Sequence, residues 1–162
     1  VGPTNLTVIQ GQSASFNVSA IGTQPLNYQW YKGGAAISGE TNALLFLSLV
    51  TNRANGGVYS VAITNLAGAT SSSNALLRVR VPHRLLIPQA LGNGVFRLIS
   101  SDHDGGQLST SDLTNFNVQV STSLTPPNWQ DLAGLALSNG VIVVEDTTAP
   151  THPRRFYRVI ER

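Results

Sequence analysis

The segment GGVYSVAITNLAG, residues 56–68, decides the fold class. Apolar and small or polar residues alternate along it, so Tyr59, Val61 and Ile63 lie on one face of an extended strand. The segment ends in NLAG, whose Asn and Gly are typical of a tight turn. We therefore predict a β-strand with one buried face, followed by a turn.

The same rhythm of strand and turn extends along the whole chain. In the first half, further strands are predicted for SASFNVSA (13–20), LNYQWYK (26–32), ALLFLSLV (43–50) and NALLRVRV (74–81). In the second half they are predicted at 84–89, 94–101, 115–123, 128–133, 140–146 and 154–162. Turn signals separate them at intervals of about 8–12 residues, as in β-sandwiches. We predict an all-β protein of two tandem β-sandwiches, residues 1–81 and 82–162.

Alternation also predicts which side chains are buried. We expect Trp30 in the first core and Trp129 in the second, with Phe46 buried as well. Along NALLRVRV, Leu77 and Val79 should face inward, while Arg78 and Arg80 should face solvent.

Composition excludes several classes of function. The chain of 162 residues is 41% hydrophobic and 11% charged, with a net charge of +2, and it contains a single lysine. Nucleic-acid binding needs a dense basic stripe, which is missing, so no nucleic-acid partner is expected. No run of 18 or more apolar residues occurs, so we expect no membrane insertion. With no cysteine, neither a disulfide nor a thiol site can form.

Residues 3–81 resemble an intermediate-set immunoglobulin domain. The resemblance rests on GQSASFNV as strand B, Trp30 within YQWYKGG, NGGVYSV before strand F, and ITNLAGA as the hairpin after it. It implies that Tyr59 is a tyrosine corner and that Val18 and Val61 stand at the two cysteine positions. A lost disulfide costs roughly 2–5 kcal/mol. A buried valine contributes about 1.5–3 kcal/mol, so two valines beside Trp30 offset much of that cost.

The second half has a resemblance of its own. FNVQVSTSL, NWQDL, NGVIVVEDT and RRFYRVI resemble a module that ends many large secreted proteins of environmental bacteria, and they are similar to the later strands of a fibronectin type III sandwich. This resemblance implies a fibronectin-III-like second domain. It also implies a bacterial protein that is secreted or on the cell surface. Both resemblances describe scaffolds rather than chemistry.

One loop has the residues of a metal site. SDHDGGQLSTSDL (101–113) places Asp102, Asp104 and Asp112 in a Gly-rich segment, and calcium takes six to eight oxygen ligands from such loops. The loop lacks a third acid at the alternate position. Two interpretations therefore stay open, a calcium loop with these three ligands or a plain Asp/Gly turn. We expect no other cofactor.

Three residues are candidates for ligand binding. Tyr31 should face outward after Trp30, where its ring can stack on a sugar. Arg154 and Arg158 should project from one face of the last strand, where they suit an anionic partner such as an acidic polysaccharide. The alternative is a solvated edge whose charges prevent strand-to-strand aggregation.

No catalytic residues are predicted. The chain has no G-x-S-x-G motif, and its three histidines lie in separate places, where we expect them at the surface. We expect a non-catalytic extracellular or cell-surface module for adhesion, spacing or domain presentation. Its partners would be neighbouring domains of a larger protein, a polysaccharide or another surface protein. Two alternatives stay open, a carbohydrate-binding accessory module of a polysaccharide-degrading enzyme and a hydrolase with a site at the domain junction.

Overall fold

The regular structure of the protein is almost entirely β. A computed structural model describes all residues, Val1–Arg162. It contains sixteen strands and three short 3-10 turns, which confirms the all-β class. The chain divides into two compact units, unit 1 (Val1–Val81) and unit 2 (Pro82–Arg162). No helix in the structure has the length and apolar character needed to cross a membrane.

Unit 1 is a sandwich of a six-stranded and a two-stranded sheet. Its strands are β1 (Leu6–Ile9), β2 (Ala14–Asn17), β3 (Asn27–Lys32), β4 (Ala35–Ala36), β5 (Leu44–Leu47), β6 (Gly57–Asn65), β7 (Gly68–Ser71) and β8 (Ala75–Arg80). The larger sheet has the order β1-β8-β6-β3-β4, with β7 also paired to β6, and the smaller sheet is β2-β5. β1 runs parallel to β8, and the other pairs are antiparallel.

One apolar cluster joins the two sheets of unit 1. Trp30 is fully buried at its centre, Phe16 comes from the smaller sheet, and Tyr59 and Val61 come from β6. The ring of Phe16 stacks on that of Tyr59 with centroids 5.0 Å apart. Odd residues of β6 therefore face the core, as the alternation predicts.

Two expectations for unit 1 are wrong in detail. Phe46 is 56% exposed rather than buried, because Leu45 and Leu47 take the inward positions of β5 and Phe46 falls between them. Arg78 and Arg80 are half-buried rather than fully solvated, since β8 lies between β1 and β6 and both neighbours cover its outer face.

Unit 2 has eight strands. They are β9 (His83–Leu85), β10 (Gln89–Gly92), β11 (Val95–Asp102), β12 (Phe116–Ser121), β13 (Gln130–Asp131), β14 (Ala136–Ser138), β15 (Val141–Asp146) and β16 (Phe156–Glu161). One sheet has the order β10-β11-β15-β14, with β9 also paired to β11, and the other is β13-β12-β16. All of these pairs are antiparallel.

The core of unit 2 draws side chains from both of its sheets. Leu98 and Ile142 come from the larger sheet, and Phe116 and Val118 come from the smaller one. Trp129 is not in this core, contrary to expectation. It lies half-buried just before β13, under the guanidinium of Arg158.

Candidate functional site

The packing around Trp30 and the turn before β6 define the geometry of unit 1. The indole nitrogen of Trp30 donates to the carbonyl of Asn42 at 2.8 Å. Tyr59 donates its hydroxyl proton to the carbonyl oxygen of Asn55, four residues upstream, at 2.7 Å. This contact is a tyrosine corner, as the resemblance implies. Val18 and Val61 lie in the same buried cluster as Trp30, 6% and 0% exposed.

A Ser–His–Asp arrangement occurs in unit 2. His83 Nε2 lies 2.7 Å from Asp102 Oδ1, and His83 Nδ1 lies 3.0 Å from the hydroxyl of Ser100. The cross-strand register of β9 and β11 places His83 directly opposite Asp102. The expectation that the histidines lie at the surface is therefore wrong for His83, whose side chain is only 6% exposed and packs on the ring of Phe116.

This arrangement is structural rather than catalytic. Ser100 and Asp102 are 1% and 0% exposed, so no substrate reaches the serine. The hydroxyl of Ser100 also donates to the carbonyl of Arg84 at 3.1 Å. A nucleophilic serine needs an accessible oxygen and a base that is free to take its proton. Here the three side chains hold β9 against β11 instead.

The structure does not bring the three candidate calcium ligands together. Asp102 faces inward at the end of β11 and pairs with His83. Asp104 accepts a hydrogen bond from the backbone N–H of Gly106, and Asp112 accepts two from Ser109, so both form local turns. No group of three or more His, Cys, Asp or Glu side chains is placed to hold a metal ion. The hydrogen bonds of Asp104 and Asp112 agree with the interpretation of a plain Asp/Gly turn, and a calcium loop stays a prediction.

The three candidate ligand-binding residues lie in different surroundings. Tyr31 is half-buried on β3 in unit 1, opposite Ser60 of β6. In unit 2, Arg154 is exposed before β16 begins, and Arg158 is exposed within β16. Arg154 therefore does not lie on the last strand with Arg158, and binding of an anionic partner by the two arginines stays a prediction.

Arg158 instead belongs to a polar row across the three-stranded sheet. Its guanidinium carbon lies 4.3 Å from the ring centroid of Trp129, within the range of a cation–π contact. Its Nε donates to the side-chain oxygen of Gln119 at 2.9 Å. The amide nitrogens of Gln119 and Asn117 both donate to the carboxylate of Asp131. We call these five residues the Trp129 row.

A second polar cluster surrounds Asp146, which is fully buried at the end of β15. Its carboxylate accepts hydrogen bonds from the backbone N–H and hydroxyl of Thr148 and from the hydroxyl of Tyr157, and it lies 3.0 Å from Arg155 Nη1. Burial alone would raise the pKa of Asp146. The hydrogen bonds of Thr148 and Tyr157 and the charge of Arg155 outweigh burial and lower the pKa, which keeps Asp146 ionised.

Sequence reasoning missed His83 and Asp146 as members of polar networks, and also the role of Trp129. The available signal was position at a strand end. Asp102 and Asp146 are each the last residue of their strands, β11 and β15. Register between strands decides what such residues meet, and that register is not visible in a single sequence.

Comparison with known families decides the nature of unit 1. Residues 1–79 match the model of the Immunoglobulin I-set domain. Unit 1 contains an immunoglobulin-like domain. The core of this immunoglobulin-like domain contains Trp30, Tyr59, Val18 and Val61, and the domain has no cysteine. No curated protein matches the sequence.

Several solved structures, including arrays of immunoglobulin domains, are similar to the chain at low identity. The tandem Ig repeats of Dlar share 20% identity at a TM-score of 0.46, covering 51% of this chain and 46% of that one. Sidekick-1 immunoglobulin domains 1–5 share 11% identity at a TM-score of 0.47, with coverages of 100% and 55%. The insect immune protein hemolin shares 13% identity at a TM-score of 0.47, with coverages of 89% and 38%. The chain spans less than two thirds of the length of each of these three.

Proposed function

We propose that the chain is a non-catalytic module of a secreted or cell-surface protein that mediates adhesion or presents neighbouring domains. The observation that carries this proposal is the immunoglobulin-like domain at residues 1–79. Domains of this kind are scaffolds, whose recognition is done by loops and sheet faces rather than by a catalytic centre.

The placement of the reactive groups supports the same proposal. Ser100, His83 and Asp102, which have the residue types of a hydrolase, are buried and occupied by one another. Solvent reaches two side chains of a different kind, the half-buried Tyr31 of β3 and the exposed Arg158 of β16. Both are groups that bind ligands rather than react with them.

We propose unit 2 as a fibronectin-III-like sandwich, and the source as bacterial. Two antiparallel sheets that share one core support the first part. The sequence resemblance of the FYRV segment to the ends of secreted bacterial proteins supports the second part.

Adhesion by coated beads tests the main proposal. The full chain is coupled to beads, and retention is measured on surfaces carrying protein, acidic polysaccharide or neutral polysaccharide. We expect retention on at least one surface and a clear loss with Tyr31→Ala, since that ring lies on the outward side of β3. Phe46→Ala is the matched control, because it removes an aromatic ring that is 56% exposed on the other sheet.

Two results would contradict this proposal. One is the absence of retention on every surface. The other is turnover of chromogenic esters or glycosides that Ser100→Ala abolishes, which would place catalysis where the structure buries the serine.

A second candidate function is carbohydrate binding as an accessory module, and the Trp129 row favours it. A half-exposed indole, with Arg158 over its ring, is part of a row of amide and carboxylate groups that are held by hydrogen bonds. Sugar rings likewise combine apolar faces with polar edges. Affinity electrophoresis against soluble glycans tests this function. Retardation lost with Trp129→Ala or with Tyr31→Ala would support it, and no retardation by any glycan would rule it out.

A further inference from the structure

Unit 2 has a cleft that the preceding functions do not use. It lies between β13 and the segment that follows β15, and its volume is about 580 Å³. Pockets of roughly 300–1,000 Å³ are typical of small-ligand sites. We call it the Asp146 cleft, because Asp146 and Arg155 lie in its lining.

Part of the cleft's lining is rigid. The side chain of Arg155 is only 9% exposed and is held by Asp146, by the carbonyl and hydroxyl oxygens of Thr148 and by Nδ1 of His152. A lining fixed in this way loses little entropy when a ligand binds.

The charge of the cleft favours a neutral ligand over an anion. Its lining contains three carboxylates, Asp131, Glu145 and Asp146, against one guanidinium. Arg97 pairs with Glu145, and Arg155 pairs with Asp146. Asp131 accepts hydrogen bonds only from two neutral amides, so its negative charge is not balanced by a cation. An anionic ligand would be repelled, whereas a hydroxyl-bearing ligand could donate to these oxygens.

The rim of the cleft has hydrogen-bonding groups that the protein leaves unused. Asn128 and Gln130 line it on either side of Trp129, and their side-chain amides make no hydrogen bond to the protein. The Trp129 row differs in this respect, because Gln119 and Asn117 are committed to Asp131. Each free amide offers both a donor and an acceptor, which suits a sugar hydroxyl.

We propose that the Asp146 cleft binds a short neutral saccharide, whose hydroxyl groups bond to the amides of Asn128 and Gln130. The inference rests on the second candidate function and assigns it a site. It places recognition at the cleft, whose residues Asn128 and Gln130 flank Trp129 in the sequence, rather than on Tyr31 of unit 1.

Titration calorimetry on the full chain tests this site. The probes are hexasaccharides of β-1,4-glucan, β-1,4-mannan, β-1,4-xylan and α-1,4-glucan, with trigalacturonate as the anion and spermidine as the cation. We expect at least one neutral hexasaccharide to bind and the double variant Asn128→Ala/Gln130→Ala to weaken it at least tenfold. Gln89→Ala, an exposed amide on β10 of the same unit, is the matched control and should stay within twofold.

The possible outcomes separate the cleft from the broader function. If binding survives the double variant but is lost with Trp129→Ala or Tyr31→Ala, the cleft is not the binding site, although the chain does bind carbohydrate. If no neutral hexasaccharide binds at millimolar concentration, both fail. If only trigalacturonate or only spermidine binds, the proposal of a neutral ligand is wrong. Melting temperatures check folding, and if the double variant is unstable, Gln130→Ala alone should still weaken binding severalfold.

Discussion

Replacing Val61 by alanine should destabilise the immunoglobulin-like domain more than any comparable change on the same strand. Val61 is 0% exposed, and the resemblance implies that it stands at one of the two cysteine positions of an immunoglobulin domain. We propose that valine packing replaces that covalent link, in which case removing part of the packing should cost an amount within the range of a lost disulfide, roughly 2–5 kcal/mol.

The magnitude follows from burial. Val→Ala removes two methyl groups from the core, worth about 1.6 kcal/mol in transfer free energy. Incomplete relaxation around the cavity adds about 1 kcal/mol. We therefore expect the free energy of unfolding to fall by about 2.5 kcal/mol. For a unit of this size, that loss lowers the melting temperature by roughly 10–20 °C.

Val58→Ala is the matched control, because Val58 lies on the same strand, faces the opposite side and is 41% exposed. Both variants change the β-propensity equally, so their difference reports burial alone. We expect Val58→Ala to cost about 1 kcal/mol or less.

Urea unfolding followed by tryptophan fluorescence measures both variants. The Trp129→Phe background leaves Trp30 as the only indole, so the signal reports the first unit alone. Equal losses for Val61→Ala and Val58→Ala, or a loss below about 0.5 kcal/mol for Val61→Ala, would refute the argument that valine packing replaces the disulfide.

The polar contacts give four further predictions. Tyr59→Phe should lower the free energy of unfolding of the first unit by about 1 kcal/mol, measured by urea unfolding, because the hydrogen bond to Asn55 is lost. Tyr28→Phe is the control and should change it little, since the hydroxyl of Tyr28 has no partner in the protein. Ser100→Ala should destabilise unit 2 by about 1–3 kcal/mol, because His83 and the Arg84 carbonyl lose a buried partner. Calorimetric melting measures this, and an unchanged midpoint would contradict it. Because the pKa of Asp146 is lowered, its carboxylate stabilises the folded unit near neutral pH, and this contribution is lost as the pH falls below about 4 through the lowered pKa. The stability–pH profile of Asp146→Asn should lack this acid-dependent loss. Burial and the bond to Asp146 raise the pKa of Tyr157 to about 12, so its contribution to stability is present below about pH 10 and is lost as the pH rises toward 12. Tyr157→Phe should therefore change the alkaline limb of the stability–pH profile, and an unchanged limb would contradict this.

Sequence alternation predicted the parts of the fold that depend on local pattern. Tyr59, Val61 and Ile63 are buried as expected, because a strand with one covered face imposes a period of two on its own residues. Strands β1, β4, β7, β10 and β14 lie largely outside the predicted ranges, since two to four residues are too few to show a clear period. Phe46 was misplaced for a related reason. LLFL is apolar at every position, so its pattern does not say which residues face the core.

The candidate sites depend on contacts between strands, which a single sequence does not show. Asp102 was grouped with Asp104 and Asp112 because they are close in sequence. In the structure it meets His83, nineteen positions earlier, through the pairing of β9 with β11. Arg158 was grouped with Arg154 on the same grounds, yet it bonds across the sheet to Gln119. Spacing along the chain predicts a shared site only where the intervening backbone is itself regular.

Access to solvent, rather than the set of residue types, decides what such clusters can do. Ser100, His83 and Asp102 have the composition of a catalytic triad, but their burial and mutual bonds leave no oxygen for a substrate. Asn128 and Gln130 have no such composition, yet their unused amides line a cleft of a size that admits a ligand. A buried polar group that is fully bonded stabilises the fold, and an unbonded one at a cleft is available for recognition. By this criterion we propose Asn128 and Gln130, rather than Ser100, as the residues of unit 2 that bind a ligand.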